Sequence, residues 1–129
     1  MALHEMKPVL QSGGTFFSLA YQEVGREIAC WNIDNREQLH ASELDDDNYE
    51  DTLALIAALD HVVTVTTTVA HVCGAIGKRA YVLVSQIPQW RYAHSGDSLM
   101  WYPENSVRLY RQKPGQIGWQ HAIARLARD

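Results

Sequence analysis

The chain has 129 residues, 47% of them hydrophobic, and a formal net charge of −4 at pH 7. This length predicts a single domain with its own hydrophobic core, and the apolar content excludes a disordered chain. The acidic balance argues against a nucleic-acid partner, because domains that bind nucleic acid are usually basic.

The sequence also indicates a cellular compartment. No stretch approaches the ~20 consecutive apolar residues of a membrane span, and Met1–Pro8 contains no apolar segment of signal-peptide length. The two cysteines, Cys30 and Cys73, fall in segments predicted to be apolar elements, which is typical of buried free thiols. These features predict a cytoplasmic protein with no membrane span.

Few secondary-structure elements are predicted in the amino-terminal half of the sequence. Residues 1–14 are expected to form a lead-in segment, and residues 15–129 a single domain. The polar segment around Asp45–Asp47 is interpreted as a solvated loop, because the alternative of a cation site lacks the spaced oxygen ligands and turn glycine of a calcium loop. The predicted elements here are strands over Thr15–Leu19 and Ile28–Ile33 and a helix over Tyr49–Leu59.

A strand, a polar turn, a helix and a second strand follow. Val62–Val65 is apolar and β-branched at most positions, as in strands buried on both faces. Apolar residues recur at helical spacing from Val69, and Gly77 is placed to end that helix, with Lys78 at its negative end. Ala80–Val84 predicts the next buried strand, so the segment is a βαβ unit.

The remaining elements complete an α/β pattern. They are aromatic-rich loops over 85–106, a strand over Val107–Gln112 and a closing helix over Trp119–Ala127. With about five strands alternating with helices, the chain is predicted to form a mostly parallel three-layer α/β sheet.

The polar turn of the βαβ unit is the first candidate site. Thr66–Thr68 follow the carboxyl end of a strand and precede the amino end of a helix, where ligands of open α/β sheets bind. Free amides and the helix dipole favour an anion there, and His71 on the first turn suits contact with a phosphate. The alternative is that a threonine caps the helix and His71 packs against a neighbour.

The loops after the next strand form a second candidate site. Trp90–Tyr92 and Trp101–Tyr102 are expected at the same edge of the sheet as the threonines. Their rings suit stacking on a nucleobase or sugar, and Arg91 suits pairing with phosphate. The alternatives are that the rings cover the end of the sheet or form a protein interface.

Several common motifs are absent from the sequence. There is no GxGxxG, no GxxxxGK[ST] and no GxSxG, which excludes the usual dinucleotide fingerprint, the P-loop and the nucleophile elbow. There is no CxxC or HExxH, so no metal site is predicted. No residue is identified as catalytic.

The order of these segments resembles a known family. Val65–His71, followed by Gly74–Lys78, is similar to the signature V-D-T-S-V-A-H-L-A-G-A-L-G-K-P in the carboxy-terminal halves of bacterial glycosyltransferase-like proteins. Such halves are often attached to tetratricopeptide repeats and are similar to heptosyltransferases. The resemblance spans roughly residues 15–128 and includes the further segments Phe16–Leu19, Pro88–Tyr92, Trp101–Pro103 and Arg108–Gln112.

The resemblance implies the Rossmann-like, nucleotide-sugar-binding half of the two-domain GT-B fold. In this family the donor diphosphate sits at the turn that matches Thr67, Thr68 and His71, and Ser18 would lie on the same rim. The ligand implied is a nucleoside diphosphate sugar, with no other cofactor. The residues predicted to bind it are Ser18, Thr66, Thr67, Thr68, His71, Trp90, Arg91 and Tyr102.

The sequence also departs from the family. Thr66 stands where the family usually has Asp, Gln89 replaces a second Asp, and Arg79 replaces a Pro. Two extra residues lie between Pro103 and Arg108. Because GT-B catalysis needs a cleft between two domains, the chain is expected to be a fragment, half of a complex, or a free-standing relative without transferase activity.

Two hypotheses of function follow. The first is a nucleotide or nucleotide-sugar binding domain that is catalytically incomplete alone. The second is a non-catalytic interaction module that forms a homo-oligomer or binds a separate acceptor-binding domain through an apolar patch. A third and weaker hypothesis is a small hydrolase that uses His71, His94 or Asp97, for which no nucleophile–base pair is visible.

Overall fold

A computed structural model describes residues 1–20, 24–36, 39–42, 44, 48–103 and 106–129. The helices are α1 Lys7–Leu10, α2 Gly25–Asp34, α3 Tyr49–Ala58, α4 Thr68–Ala75 and α5 Gln120–Leu126. The strands are β1 Phe16–Phe17, β2 Leu39–His40, β3 Val62–Val65, β4 Ala80–Val84 and β5 Val107–Arg111. Two 3₁₀ turns, Leu3–Met6 and Trp90–Tyr92, complete the described elements.

The described strands form two parallel sheets. β3, β4 and β5 lie side by side in that order, with Val62 beside Ala80 and Ala80 beside Val107. β1 and β2 form a separate two-stranded sheet, in which Phe16 lies beside Leu39. Helices flank both sheets. The predicted α/β, Rossmann-like class is therefore confirmed, although its strands are divided between two sheets.

The three-stranded sheet is the middle of three layers. Because side chains alternate along a strand, Val82 and Leu109 face a core that includes residues of α3 and α4. Leu83 and Tyr110 face the opposite core, which α1 and α5 cover. Phe16 packs against this second core and also against the core beneath the small sheet, so the two sheets share apolar packing.

The strand predicted over Ile28–Ile33 is wrong, because these residues lie in α2. Ile28 and Trp31 are buried three residues apart, on one face of the helix, while Cys30 is exposed. The expectation of a buried thiol therefore holds for Cys73 but fails for Cys30. Propensity favoured a strand here, but tertiary burial of a helical face decided the structure.

The amino-terminal lead-in is helical from Leu3 to Leu10, and Val9 packs into the core beneath α5. Leu10 packs with Ile28 and Trp31 beneath the small sheet. The acidic triplet Asp45–Asp47 lies outside the described residues. Asn48 stands at the N-cap position of α3, where its amide donates to the carboxylate of Asp51.

The predicted βαβ unit is present as β3, α4 and β4. Gly77 ends α4, as the sequence predicted. Gly77 has φ +70°, and the Lys78 amide donates to the Cys73 carbonyl at 2.8 Å, as in a Schellman ending. Lys78 follows the carboxyl end of α4, as expected, and its ammonium also reaches α3. It donates to the carbonyls of Ala57 and Leu59 at the end of α3.

Candidate functional site

The turn between β3 and α4 offers unused donors. Thr67 stands at the N-cap position with extended backbone (φ −120°, ψ 176°), but its hydroxyl lies 3.1 Å from the Thr64 hydroxyl and does not cap the helix. Within the described part of the chain, the amides of Thr68 and Val69 donate to no partner. The start of α4 thus presents amides and the positive end of the helix dipole, which together favour an anion.

The three predicted threonines differ in exposure. Thr67 and Thr68 are exposed, whereas Thr66 is half-buried. A small ligand at the start of α4 would therefore meet the side chains of Thr67 and Thr68 more readily than that of Thr66.

His71 joins the start of α4 to the aromatic loops. Its Nδ1 lies 2.9 Å from the Tyr102 hydroxyl, and its Nε2 lies 3.2 Å from the Tyr92 hydroxyl. His71 lies in α4, Tyr92 ends the 3₁₀ turn Trp90–Tyr92, and Tyr102 lies in the loop before β5. We call them the Tyr–His–Tyr cluster. Tyr92, predicted only as part of the aromatic loop, is thus a member of the site.

The cluster contains a neutral imidazole. Burial lowers the pKa of His71 below its ordinary value of 6.5, and the positive charge of Arg91 lowers it further. Burial raises the pKa of Tyr92, so its phenol also stays uncharged at neutral pH. Both ring nitrogens of His71 already have hydrogen-bond partners within the cluster. Its contact with a phosphate, which its spacing suggested, stays a prediction.

A glycine permits the close approach of Tyr102 to α4. A Cβ atom added at Gly74 would overlap the aromatic ring of Tyr102. Gly74 is buried in the helix, and the ring covers it. The small residue therefore sets the position from which the Tyr102 hydroxyl reaches His71.

Two exposed tryptophans lie beside the cluster. Trp90 and Trp101 meet edge to face, with ring centroids 5.9 Å apart, and they are 72% and 53% exposed. The Arg91 guanidinium lies 5.2 Å from the centroid of the Trp90 ring, and the Trp101 indole donates to the Arg91 carbonyl at 3.2 Å. A flat ring and a fixed cation are thus presented together at the surface.

Arg111 at the end of β5 holds the loop that carries Tyr92. Its guanidinium donates to the carbonyls of Tyr92, Ala93, Ser95 and Gly96. Burial lowers the pKa of this group. Sequence reasoning missed this role, because β5 and the loop are about fifteen residues apart and no local motif connects them.

Ser18 is not brought to this cluster. It follows β1, its amide donates to the His40 carbonyl at 2.8 Å, and its hydroxyl accepts from the Ala20 amide. Asp97 was a candidate residue of the hydrolase hypothesis. Its carboxylate oxygen Oδ2 lies 3.8 Å from the guanidinium nitrogen Nη2 of Arg125. Among the contacts of the described residues, none joins Ser18 or Asp97 to the Tyr–His–Tyr cluster.

Within the described residues, no three side chains of His, Cys, Asp or Glu come together closely enough to hold a metal ion. The described helices include none with the length and apolar character needed to cross a membrane.

Comparison with protein-family models, with curated proteins and with solved structures gives no match for this chain. The similarity to glycosyltransferases therefore stays a proposal, and function must be argued from the site itself.

Proposed function

We propose that this chain binds a nucleoside diphosphate or a nucleotide sugar at the carboxyl edge of its three-stranded sheet. The start of α4, with Thr67 and Thr68, takes the diphosphate. Trp90 stacks on the base or sugar, and Arg91 supplies positive charge. The site thereby follows the general rule for ligands of parallel α/β sheets.

One observation carries the proposal. His71 is hydrogen-bonded to Tyr92 and to Tyr102, so α4 is joined to both aromatic loops by side-chain hydrogen bonds. Trp90 and Arg91 precede Tyr92 directly in the chain, and Trp101 precedes Tyr102. Donors for an anion and a surface for a ring are therefore held beside each other.

The same contacts argue against transferase activity by this chain alone. A glycosyl transfer needs a base for the acceptor hydroxyl, and both nitrogens of His71 are engaged. Thr66 offers no carboxylate where the resembling family has Asp. Binding without transfer fits a relationship to the nucleotide-sugar half of glycosyltransferases. The two free cysteines fit a protein of a reducing compartment such as the cytoplasm.

A single backbone amide provides the sharpest test. Thr68 is the first residue of α4, where proline is favoured, and Thr67 before it is already extended. Thr68→Pro therefore removes one N–H donor without disturbing the helix. We expect UDP or ADP to bind the variant at least about fivefold more weakly in calorimetry, with thermal stability preserved.

Thr68→Ala is the matched control, because it removes the hydroxyl but keeps the amide. Its affinity should lie between those of the wild type and Thr68→Pro. Wild-type protein that binds neither nucleotide at millimolar concentration would overturn the proposal. Equal affinity of Thr68→Pro and wild type would show that the start of α4 is not the phosphate site.

A second candidate function is self-association through apolar side chains on the loops. Ile87 is 89% exposed and Ile117 is fully exposed. The side-chain amide of Gln86 donates to the backbone carbonyl of Gln116 at 2.6 Å, which brings the two loops together. Trp90 and Trp101 add further exposed apolar surface. Patches of this kind are typical of protein interfaces.

Sedimentation velocity separates the two functions. A dimer that forms at micromolar concentration and dissociates in Ile117→Ser would support self-association. The same substitution should leave nucleotide affinity unchanged, because the Ile117 side chain is fully exposed and no contact among the described residues joins it to His71 or to its two tyrosine partners. A wild-type protein that stays monomeric at high concentration would contradict this second function.

A further inference from the structure

The direction of the hydrogen bonds in the Tyr–His–Tyr cluster follows from burial. The Tyr92 side chain is 1% exposed, and among the described residues its hydroxyl has one hydrogen-bond partner, His71 Nε2, at 3.2 Å. If the Tyr92 hydroxyl accepted a hydrogen bond from Nε2–H, its own O–H would be buried without an acceptor, which is costly. Tyr92 therefore donates to Nε2.

The other half of the cluster is then determined. A neutral imidazole carries one N–H donor and one acceptor nitrogen. Because Nε2 accepts, Nδ1 carries the proton and donates to the Tyr102 hydroxyl oxygen, 2.9 Å away. The Tyr102 hydroxyl thus uses its oxygen as an acceptor, and its own hydrogen is not used within the described part of the chain.

We infer that the Tyr102 hydroxyl is the donor that this site presents to a phosphate oxygen of its ligand. Tyr102 is half-buried, it adjoins Trp101, and Gly74 lets its ring lie against α4. A hydroxyl that accepts one hydrogen bond is polarised and becomes a stronger donor for the next. His71 and Tyr92 are positioning residues, since they act through Tyr102.

This inference rests on the proposed nucleotide binding, but the hydrogen-bond order has its own test. In protein with ¹⁵N-labelled histidine, long-range proton–nitrogen spectra distinguish a protonated Nδ1 from a protonated Nε2, and His71→Asn assigns the signal. We expect His71 in the Nδ1–H form, and a mixture of forms in Tyr92→Phe. A protonated Nε2 in the wild type would overturn the inference.

Binding tests the role of Tyr102. Tyr102→Phe should bind UDP or ADP about tenfold more weakly, while its affinity for the parent nucleoside stays unchanged. Tyr110→Phe is the matched control, because its hydroxyl bonds Asp129 on the opposite face of the sheet. It should bind as the wild type does, and thermal unfolding verifies that each variant is folded.

The outcomes separate the two proposals. Unchanged diphosphate affinity in Tyr102→Phe, or an equal loss for nucleoside and diphosphate, overturns the role of Tyr102 and leaves nucleotide binding intact. A wild-type chain that binds no nucleotide overturns both proposals about the ligand, whereas the histidine spectra still decide the hydrogen-bond order.

Discussion

The threonine turn and the Tyr–His–Tyr cluster are two parts of the candidate site, and they differ in exposure and in hydrogen bonding. At the turn, Thr67 and Thr68 are exposed, and the backbone amides of Thr68 and Val69 have no partner among the described residues. In the cluster, Tyr92 is buried and both nitrogens of His71 are bonded. The turn is open to a ligand, while the cluster holds the surrounding loops in place.

This difference predicts which changes alter stability and which alter binding. Removal of a partner inside the cluster leaves a buried polar group unpaired, which costs free energy of folding. Removal of a threonine hydroxyl at the turn leaves no buried polar group without a partner, because the contact between the Thr64 and Thr67 hydroxyls is exposed. Variants in the cluster should therefore change the stability of the protein, whereas variants at the turn should change mainly its affinity for the ligand.

The largest effect on stability is expected at Arg111. Arg111→Ala removes four hydrogen bonds to the loop that carries Tyr92, and we expect the free energy of unfolding in urea to fall by about 2–3 kcal/mol. Arg108→Ala is the control on the same strand, because its ion pair with Asp129 is partly exposed and contributes under about 1 kcal/mol. Equal effects would contradict the role of Arg111.

Tyr92→Phe should lower the free energy of unfolding by about 1–2 kcal/mol, because Nε2 of the half-buried His71 loses its hydrogen-bond donor. The ring itself is kept, so packing against the core is preserved. Chemical denaturation measures the loss. A variant as stable as the wild type would indicate that water or another group satisfies His71, and the cluster would not be rigid.

Gly74→Ala tests the position of the Tyr102 ring. The added Cβ overlaps that ring and displaces it, which leaves Nδ1 of His71 without its partner, and the helix propensity of alanine, about 1 kcal/mol above that of glycine, offsets only part of this cost. We expect a melting temperature below that of the wild type and a loss of UDP affinity similar to that of Tyr102→Phe. If Gly74→Ala binds UDP as tightly as the wild type, the placement of this ring does not matter for binding.

The depressed pKa of His71 predicts a pH dependence. In the unfolded chain this histidine titrates near its ordinary value of about 6.5, so just below that pH the unfolded state binds more protons than the native state. Stability should therefore decrease as the pH falls from about 7 through this window. In His71→Gln the decrease between pH 7.5 and pH 5.5 should be smaller, and an unchanged pH dependence would contradict this account.

The smallest effect is expected at the turn. Thr67→Ala should change the free energy of unfolding by less than about 0.5 kcal/mol, since the Thr67 hydroxyl contacts Thr64 and does not cap α4. Thermal unfolding is the measurement. A loss of about 1 kcal/mol or more, as for a true N-cap, would show that the hydroxyl serves the helix after all.

Particular segments show how far local sequence reaches in this protein. The βαβ unit is correctly predicted, because Val62–Val65 and Ala80–Val84 are short apolar runs and Gly77 marks the helix end. The structure of Ile28–Ile33 is not correctly predicted, because its apolar residues suit both a strand and the buried face of a helix. There, contact with Leu10 and Leu39 decides for the helix.

The same contrast holds within the site. The turn at Thr66–Thr68 could be predicted from the sequence, because the end of a strand and the start of a helix are each specified by a few adjacent residues. The partners of His71 lie 21 and 31 residues further along the chain, and no periodicity connects them. Only the packing of the loops on α4 brings them together.

Sequence by itself therefore determined the α/β class, the βαβ unit and the position of the polar turn between β3 and α4. Tertiary structure alone decided that α2 is a helix, that Arg111 holds the aromatic loop and that His71 lies between two tyrosines. The physical reason is that backbone conformation responds to neighbouring residues, whereas buried polar groups find partners wherever the folded chain supplies them.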